Sequence, residues 1–284
     1  PDQVDNVRAM GGQVIRIGPG GGHLNVLDSG QTREAEAALR AAGRPEMAAQ
    51  LRSSAHARTR TLIAALLTIV RKSAPSDREE NILDRALRLL ADRHEGVPVL
   101  PDLLHMIQNP PEDLRRVALD RGDLARYAAI TENLEASLIG LIDGGRLGDM
   151  FSHHTSQPQR RDRAVVYDIS GLEEGEDDAK AAALLACWSM GFGTIEVAHA
   201  LSDAGLEPER LYLAVLDELW QALRVGHGMA DRVDSLTRLN RNQGVGQLMI
   251  SHTMKDLESL PSEEDRAKAR GFVERAAIKI LGGL

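Results

Sequence analysis

The segment Leu211–Trp220 constrains the fold more than any other part of this sequence. It begins with a mostly apolar run, which leads directly into Asp217 and Glu218. A continuous apolar run that follows a polar turn is typical of a strand covered on both faces in a parallel sheet. In open α/β sheets the chemistry lies just beyond the carboxyl ends of such strands. The sequence therefore predicts a buried strand that ends at two adjacent carboxylates.

Two interpretations of this carboxylate pair are open. In the first, one carboxylate holds a magnesium ion through water while its neighbour polarises an attacking water. In the second, the two acids end a strand at the surface and cap the next helix. The decapeptide by itself does not separate these interpretations, so the rest of the chain has to decide.

Composition excludes several classes of protein. The chain has 284 residues, a net charge of -8 and a single cysteine, Cys187. The negative charge argues against a surface that coats nucleic acid indiscriminately, and one cysteine excludes an internal disulfide. No apolar run approaches the roughly 20 residues of a membrane span. The length allows one large domain or two moderate ones.

Segments with strand patterns alternate with segments with helical patterns in both outer parts of the chain. Besides the opening strand, strands are predicted at Gln13–Ile17, Ala164–Ile169, Gly244–Ile250 and Ala277–Leu281. Helices separate them, which predicts a mainly parallel sheet with right-handed crossovers. The fold class is therefore α/β, with a sheet flanked by helices.

The middle of the chain, from about residue 31 to 142, has a helical pattern throughout. Ser76 and Glu79 form a capping box at the start of one helix, and Pro101 suits the first turn of another. No catalytic cluster is visible in this block. Its default role is packing or partner contact.

Three other features are weak candidates for chemistry. Gly18–Gly22 is glycine-rich, but no lysine in the chain follows a glycine, as a P-loop requires, and His23 replaces the last glycine of a dinucleotide fingerprint. His153–His154 lack further ligands at useful spacing for a metal. The acidic run Glu173–Asp178 favours the N-terminus of the following helix. We therefore interpret the glycine-rich segment as a turn, the two histidines as part of a solvated loop, and the acidic run as the start of a helix.

Four segments, taken in order, resemble the motor domain of conjugative-transfer and type IV secretion ATPases, in the HerA–FtsK branch of P-loop NTPases. Val14–Asp28 is similar to a family strand and loop ending in Asn-Pro-Leu-Asp, with Val26 in place of proline. The other three are Gly145–Leu172, Leu213–Trp220 and 241–252. The third is similar to the Walker B strand, and the fourth to an arginine-bearing helix with the sensor strand that follows it.

The resemblance implies a P-loop-type fold with a large all-α insertion. Residues 1–30 and 145–284 would form an incomplete NTPase core, and residues 31–144 a helical insertion subdomain. The implied cofactors are ATP and Mg²⁺. Asp217 would hold the magnesium-bound water, and Glu218 would orient or activate the attacking water.

The resemblance also assigns roles near the fourth segment. Arg241 matches an arginine that reaches the nucleotide of a neighbouring subunit, and Arg238, one turn earlier, is the reserve candidate. From the sequence alone, both arginines favour a solvated helix face. Ser251 would contact the nucleotide. His252 stands where the family usually has glutamine to sense the γ-phosphate, and its charge would depend on pH.

A second departure from the family concerns the Walker A loop, which would precede Pro1. We therefore expect a segment of a longer protein that does not hydrolyse ATP alone, although the parent protein does. The resemblance implies a ring of subunits (a hexamer), secretion-channel or coupling proteins and DNA as partners, and a cytoplasmic protein, peripheral at the inner face of the cell membrane. The alternatives are a non-catalytic interaction module and a HerA–FtsK-type DNA translocase without a secretion system.

Overall fold

The computed structural model describes residues 2–28, 31–173, 175–226, 228–237, 244–251, 253–260, 262–280 and 282. In this part of the chain, four short strands lie among thirteen helices. In chain order they are α1 Asp2–Ala9, β1 Gln13–Arg16, α2 Thr32–Ala41, α3 Pro45–Arg71, α4 Asp77–Arg93, α5 Leu100–Gln108, α6 Glu112–Ala118, α7 Leu124–Asp143, α8 Arg146–Phe151, β2 Val165–Asp168, α9 Asp177–Asp203, β3 Tyr212–Leu216, α10 Leu219–Arg224, α11 Met229–Thr237, β4 Val245–Met249, α12 Met254–Glu258 and α13 Glu263–Arg275.

All described strand pairs are parallel, as the alternation of strands and helices predicted. β1 pairs with β2 so that Gln13 lies opposite Val165, and β3 pairs with β4 so that Tyr212 lies opposite Val245. The described strands form two separate two-stranded sheets rather than one continuous sheet. The α/β class with parallel strands is therefore confirmed, while a continuous P-loop-type sheet remains a prediction.

The strand β3 is covered on one face only, so the prediction of a strand buried on both faces is wrong. Leu216 is 2% exposed, whereas Leu213 is 69% and Val215 is 44% exposed. In β4, Leu248 lies opposite Val215 and is also exposed. Side chains of a strand point alternately to opposite faces, and nothing in the described chain covers the face that carries Leu213 and Val215. The apolar run is continuous although only one of its faces is packed.

The prediction of a further strand at Ala277–Leu281 is also wrong for the residues that the structure describes. Residues 276–280 have no strand pairing, and Ile278 and Ile280 are 79% and 83% exposed. Leu281 lies outside the described residues. An extended segment becomes a strand only when a neighbour satisfies its backbone groups, and the described chain places no neighbour beside it.

Residues 32–143 are helical apart from short connections, in agreement with the predicted helical block. The capping box at the start of α4 is confirmed, because the Glu79 backbone N–H donates to Ser76 Oγ and the Ser76 N–H donates to Glu79 Oε2 at 2.7 Å. Helix α3 begins with Pro45 in its first turn, where the fixed φ angle of proline suits a helix start. The short helix α8, Arg146–Phe151, follows α7 directly.

One hydrophobic core joins the helical block to the sheet region. It contains Ile15 of β1, Leu66 of α3, Leu141 of α7, Leu185 of α9 and Leu216 of β3. Each of these side chains is at most 2% exposed. The predicted helical insertion and the predicted NTPase region therefore share this hydrophobic core. The domain boundaries remain a prediction.

Helix α9 lies at the centre of this core. Among the described residues, it has the length and hydropathy of a membrane span, but 83% of that apolar stretch is buried inside the protein. Burial by protein accounts for its apolar composition. We therefore describe α9 as a core helix.

The glycine-rich loop after β1 is a turn, as preferred from the sequence. Gly18 and Gly20 have φ angles of 104° and 69°, in the left-handed region that favours glycine. A side chain at Gly21 would place its Cβ 2.8 Å from the Arg16 carbonyl oxygen. The glycines are thus explained by backbone geometry and close approach.

Asn25 fixes the segment that follows this loop. The side chain is 1% exposed; its Nδ2 donates to the Pro98 carbonyl at 2.8 Å, and its Oδ1 accepts from the Leu27 N–H at 3.0 Å. The Asn25 backbone N–H donates to Thr155 Oγ1. One asparagine therefore connects the β1 loop, the helical block and the segment before β2.

Candidate functional site

The candidate site lies at the carboxyl edge of the β3–β4 pair. The Ile250 N–H donates to the Leu216 carbonyl at 2.9 Å, and the Leu219 N–H donates to the Ile250 carbonyl at 3.3 Å. These bonds continue the parallel ladder past the end of each strand. They place Ser251, which is exposed, next to the turn formed by Asp217 and Glu218. The structure thus brings three of the predicted site residues to one edge.

Asp217 is held by hydrogen bonds to both of its carboxylate oxygens. The Glu218 backbone N–H donates to Oδ1 at 3.0 Å, and Gln3 Nε2 donates to Oδ2 at 3.0 Å. Gln3 lies in α1, which packs against β1 and β2. This bond therefore connects the edge of the β3–β4 pair to the element that leads into the other sheet.

Glu218 occupies a backbone conformation that is rare for a residue with a side chain. Its φ and ψ angles are 55° and 34°, in the left-handed helical region, which costs roughly 1–2 kcal/mol for an L-residue. Its Oε2 accepts from Trp220 Nε1 at 2.6 Å and from Gln221 Nε2 at 3.3 Å. Strained residues of this kind cluster at functional sites, where the surrounding structure holds them.

The helix-capping interpretation of the two acids is only partly met. Glu218 occupies the N-cap position of α10, but its side chain makes no capping hydrogen bond to the helix backbone. The carboxylate instead meets side chains of the first turn of α10. A capping role therefore does not account for its orientation.

The remaining predicted site residues, Arg238, Arg241 and His252, lie outside the residues that the structure describes. Arg232, on α11, forms an ion pair with Glu80 at 3.0 Å. That arginine is engaged with the helical block. The roles of the other three stay predictions.

The described residues fit a magnesium ion in part. Mg²⁺ usually keeps several waters and takes one or two carboxylates together with substrate phosphates, so a single aspartate at a strand end suits it. Within the described ranges, no group of three or more His, Cys, Asp or Glu side chains is placed to hold a metal. The chain also has no glycine–lysine pair to cradle phosphates. Asp217 therefore fits a magnesium nucleotide, whereas the phosphate contacts would have to come from elsewhere.

Sequence reasoning missed Gln3 and the role of Trp220. Gln3 is 214 residues away from Asp217, and no local pattern in the sequence indicates the contact. Trp220 is two residues from Glu218, and an indole N–H so close to an acid is a signal that could have been used. Gln3 and Trp220 donate hydrogen bonds to Asp217 and Glu218, the two acids predicted from the sequence.

His153 and His154, the other residues considered for a metal, are exposed. The His153 ring packs edge-on against His23 at 4.6 Å between ring centroids, and His23 Nδ1 lies 2.6 Å from the Asp149 carbonyl oxygen. His153 therefore makes a ring contact, and His23 makes a hydrogen bond within the loop region.

A polar cleft of about 560 Å³ separates the segment before β2 from the connection between α9 and β3. Glu207, which lines this cleft, forms ion pairs with Arg161 and Arg210, with 3.0 Å between Glu207 Oε2 and Arg210 Nη1. The two guanidinium groups, Arg161 first, hold the pKa of the Glu207 carboxyl below its ordinary value of 4.5. Since the carboxylate and the guanidinium groups satisfy one another, the cleft is a structural junction.

Together these features define a class: an α/β protein with parallel strand pairs, an extensive helical block, and two acids after a strand at a sheet edge. No protein-family model and no curated protein matches the sequence. Among solved structures, VirB4 of Thermoanaerobacter pseudethanolicus has a similar fold, with a TM-score of 0.57 and 14% sequence identity over 95% of this chain. The chain spans 64% of the VirB4 chain. The fold is therefore VirB4-like, in agreement with the resemblance found in the sequence.

Proposed function

We propose that this chain is part of the motor domain of an ATPase that powers conjugative DNA transfer or type IV secretion, in the HerA–FtsK branch of P-loop NTPases. The observation that carries the proposal is the turn after β3, where a strained Glu218 and a doubly hydrogen-bonded Asp217 lie beside the end of β4. Parallel strands that end together at such a turn are the usual place for nucleotide chemistry in α/β sheets. The VirB4-like fold supports the same class.

In this proposal the two acids have different tasks. Asp217 would hold the water shell of Mg²⁺, which supplies charge neutralisation at the phosphates of ATP. Glu218 would accept a proton from, or orient, the attacking water. Ser251, at the end of the neighbouring strand, would contact the nucleotide, and His252 would sense its γ-phosphate.

The exposed face of the β3–β4 pair supports a site that is completed by another part of the parent protein. Leu213, Val215 and Leu248 form an apolar patch on a sheet face, and β4 has no described partner on its outer edge. Exposed apolar patches and open strand edges usually mark surfaces that another segment covers. We propose that the parent protein covers this face with the strand and helix that carry its Walker A loop.

The ring arrangement follows from the same proposal. Arg241, with Arg238 in reserve, would reach the nucleotide of an adjacent subunit and stabilise charge on the transferring phosphoryl group. The parent protein would then self-associate, as a hexamer, and contact secretion-channel or coupling proteins in the cytoplasm at the inner face of the membrane. DNA-stimulated turnover would favour a translocase, and co-purification with channel components would favour secretion.

Steady-state hydrolysis of ATP by a longer chain of the parent protein tests the motor. Glu218→Gln should lower kcat at least about 100-fold, because general-base catalysis contributes about that much or more. Glu209→Gln is the matched control, since Glu209 is an exposed acid before β3. Equal turnover in the Glu218→Gln variant and the wild type would refute the role of Glu218. Absence of turnover in the longer wild-type chain would refute the motor and favour a non-catalytic interaction module.

A further inference from the structure

The side chain of Trp220 lies between the candidate catalytic acid and a chain of charged residues. On one side its indole Nε1 donates to Glu218 Oε2 at 2.6 Å. Over its ring lies the Arg224 guanidinium, with Cζ 4.6 Å from the ring centroid. Arg224 in turn binds Asp177, the first residue of α9. The contacts thus run continuously from Glu218 to the start of the core helix.

The geometry of the indole bond suits a positioning role. The distance is short for an N–H···O bond. The donor and acceptor are two residues apart, and the left-handed backbone of Glu218 lets its carboxylate meet the first turn of α10. An indole N–H has no acceptor capacity, so it can only donate to the carboxylate. The bond therefore selects one orientation of the Glu218 carboxyl group.

Core packing and the contact with Arg224 restrain the indole ring of Trp220. Trp220 packs partly buried against the main core, so its ring has little freedom. A guanidinium over an indole face adds a cation–π attraction of about 0.5–1 kcal/mol at an exposed site. The ion pair with Asp177, whose side chain is 54% exposed, connects Arg224 to the first residue of α9.

We propose that Trp220 is the positioning residue of Glu218, and that Arg224 and Asp177 hold Trp220 in place. This inference rests on the proposed function for its consequence, because a positioned carboxylate matters where it has to meet a water molecule. Positioning errors of about 1 Å can cost up to about 100-fold in rate. Loss of the indole donor should therefore lower kcat about tenfold and leave KM for ATP within about twofold.

The hydrogen bond can be tested in this chain without any nucleotide. The protein has two tryptophans, Trp188 and Trp220, and therefore two indole N–H signals in a ¹H–¹⁵N spectrum. Trp220→Phe assigns the signal by removing it. Glu218→Ala should shift the Trp220 signal upfield and leave the Trp188 signal, which comes from α9, in place. Arg224→Gln should shift the Trp220 signal as well, whereas Arg270→Gln, which changes an exposed arginine on α13, should not.

The kinetic consequence is tested with a longer chain that hydrolyses ATP. Trp220→Phe keeps an aromatic ring, although a smaller one, and removes the N–H donor, and its melting temperature shows whether the fold is retained. The proposal is overturned if Glu218→Ala leaves the Trp220 signal unchanged, or if a folded Trp220→Phe variant has wild-type kcat. If the longer chain hydrolyses no ATP although Glu218→Ala shifts the signal, the proposed function fails and the Glu218–Trp220 pairing stands.

Discussion

At the scale of single residues, Asn25 shows how one buried side chain joins distant parts of the chain. Asn25→Ala would leave the Pro98 carbonyl and the Leu27 N–H without their partner in a buried place. We expect a loss of about 2–3 kcal/mol in the free energy of unfolding, since each unmet group costs about 1–3 kcal/mol. Chemical denaturation measures it. Asn81→Ala, at an exposed position of α4, is the control and should change stability by less than about 0.5 kcal/mol. Equal effects of both changes would contradict the account.

Glu207 predicts a pH dependence. Its folded pKa is lowered below 4.5 by Arg161 and Arg210, so the unfolded state binds its proton more tightly. The stabilisation is therefore complete above the unfolded pKa, about 4.5, and is lost as the pH falls through the folded value. Glu207→Gln should cost on the order of 1 kcal/mol at pH 7, and the difference from the wild type should shrink below about pH 4.5. Urea titrations at several pH values check this, with Glu209→Gln as the control. A difference that grows in acid would be inconsistent with the ion pair.

At the scale of elements, we expect substitutions on the two faces of β3 to have opposite effects on stability: large on the buried face and small on the exposed face. Leu216→Ala removes a side chain that is 2% exposed and should cost about 2–5 kcal/mol of unfolding free energy. Leu213→Thr changes a side chain that is 69% exposed and should cost less than about 0.5 kcal/mol in this chain. Both are measured by thermal or urea unfolding. If Leu213→Thr were the more damaging change here, the described orientation of the strand would be wrong.

Local signals explain which elements the sequence predicts well. The Ser76–Glu79 capping box and Pro101 mark helix starts because their hydrogen bonds and backbone angles are formed within one turn. The β3 and β4 strands and their parallel pairing follow from apolar runs separated by helices. Local signals do not predict whether a strand face is covered, because the segments that cover it are far away in the sequence. The exposed Leu213 and the unpaired residues 276–280 show that limit.

The same limit applies to the candidate site. The acids Asp217 and Glu218 stand out in the sequence because they follow an apolar run. Gln3 does not, since its contact with Asp217 is created only by the fold. The left-handed backbone of Glu218 has no glycine or asparagine to announce it, and tertiary contacts impose it.

At the scale of the whole molecule, the acids and the exposed sheet face belong to one explanation. The described chain presents Asp217 and Glu218 at a sheet edge, and it leaves an apolar face beside them uncovered. The chain spans 64% of VirB4. Under the proposed function, the lack of a glycine–lysine pair and the uncovered sheet face are both expected if a further segment supplies the phosphate-binding loop and packs on β4.

Equilibrium binding of ATP with Mg²⁺, measured by calorimetry, tests whether Asp217 and Glu218 belong to a nucleotide site. We predict no binding by the 284-residue chain and binding by an extended chain that includes a phosphate-binding loop. Asp217→Ala together with Glu218→Gln should abolish Mg²⁺-dependent binding in the extended chain. Magnesium-dependent binding by the 284-residue chain alone, or none by a folded extended chain, would contradict the account.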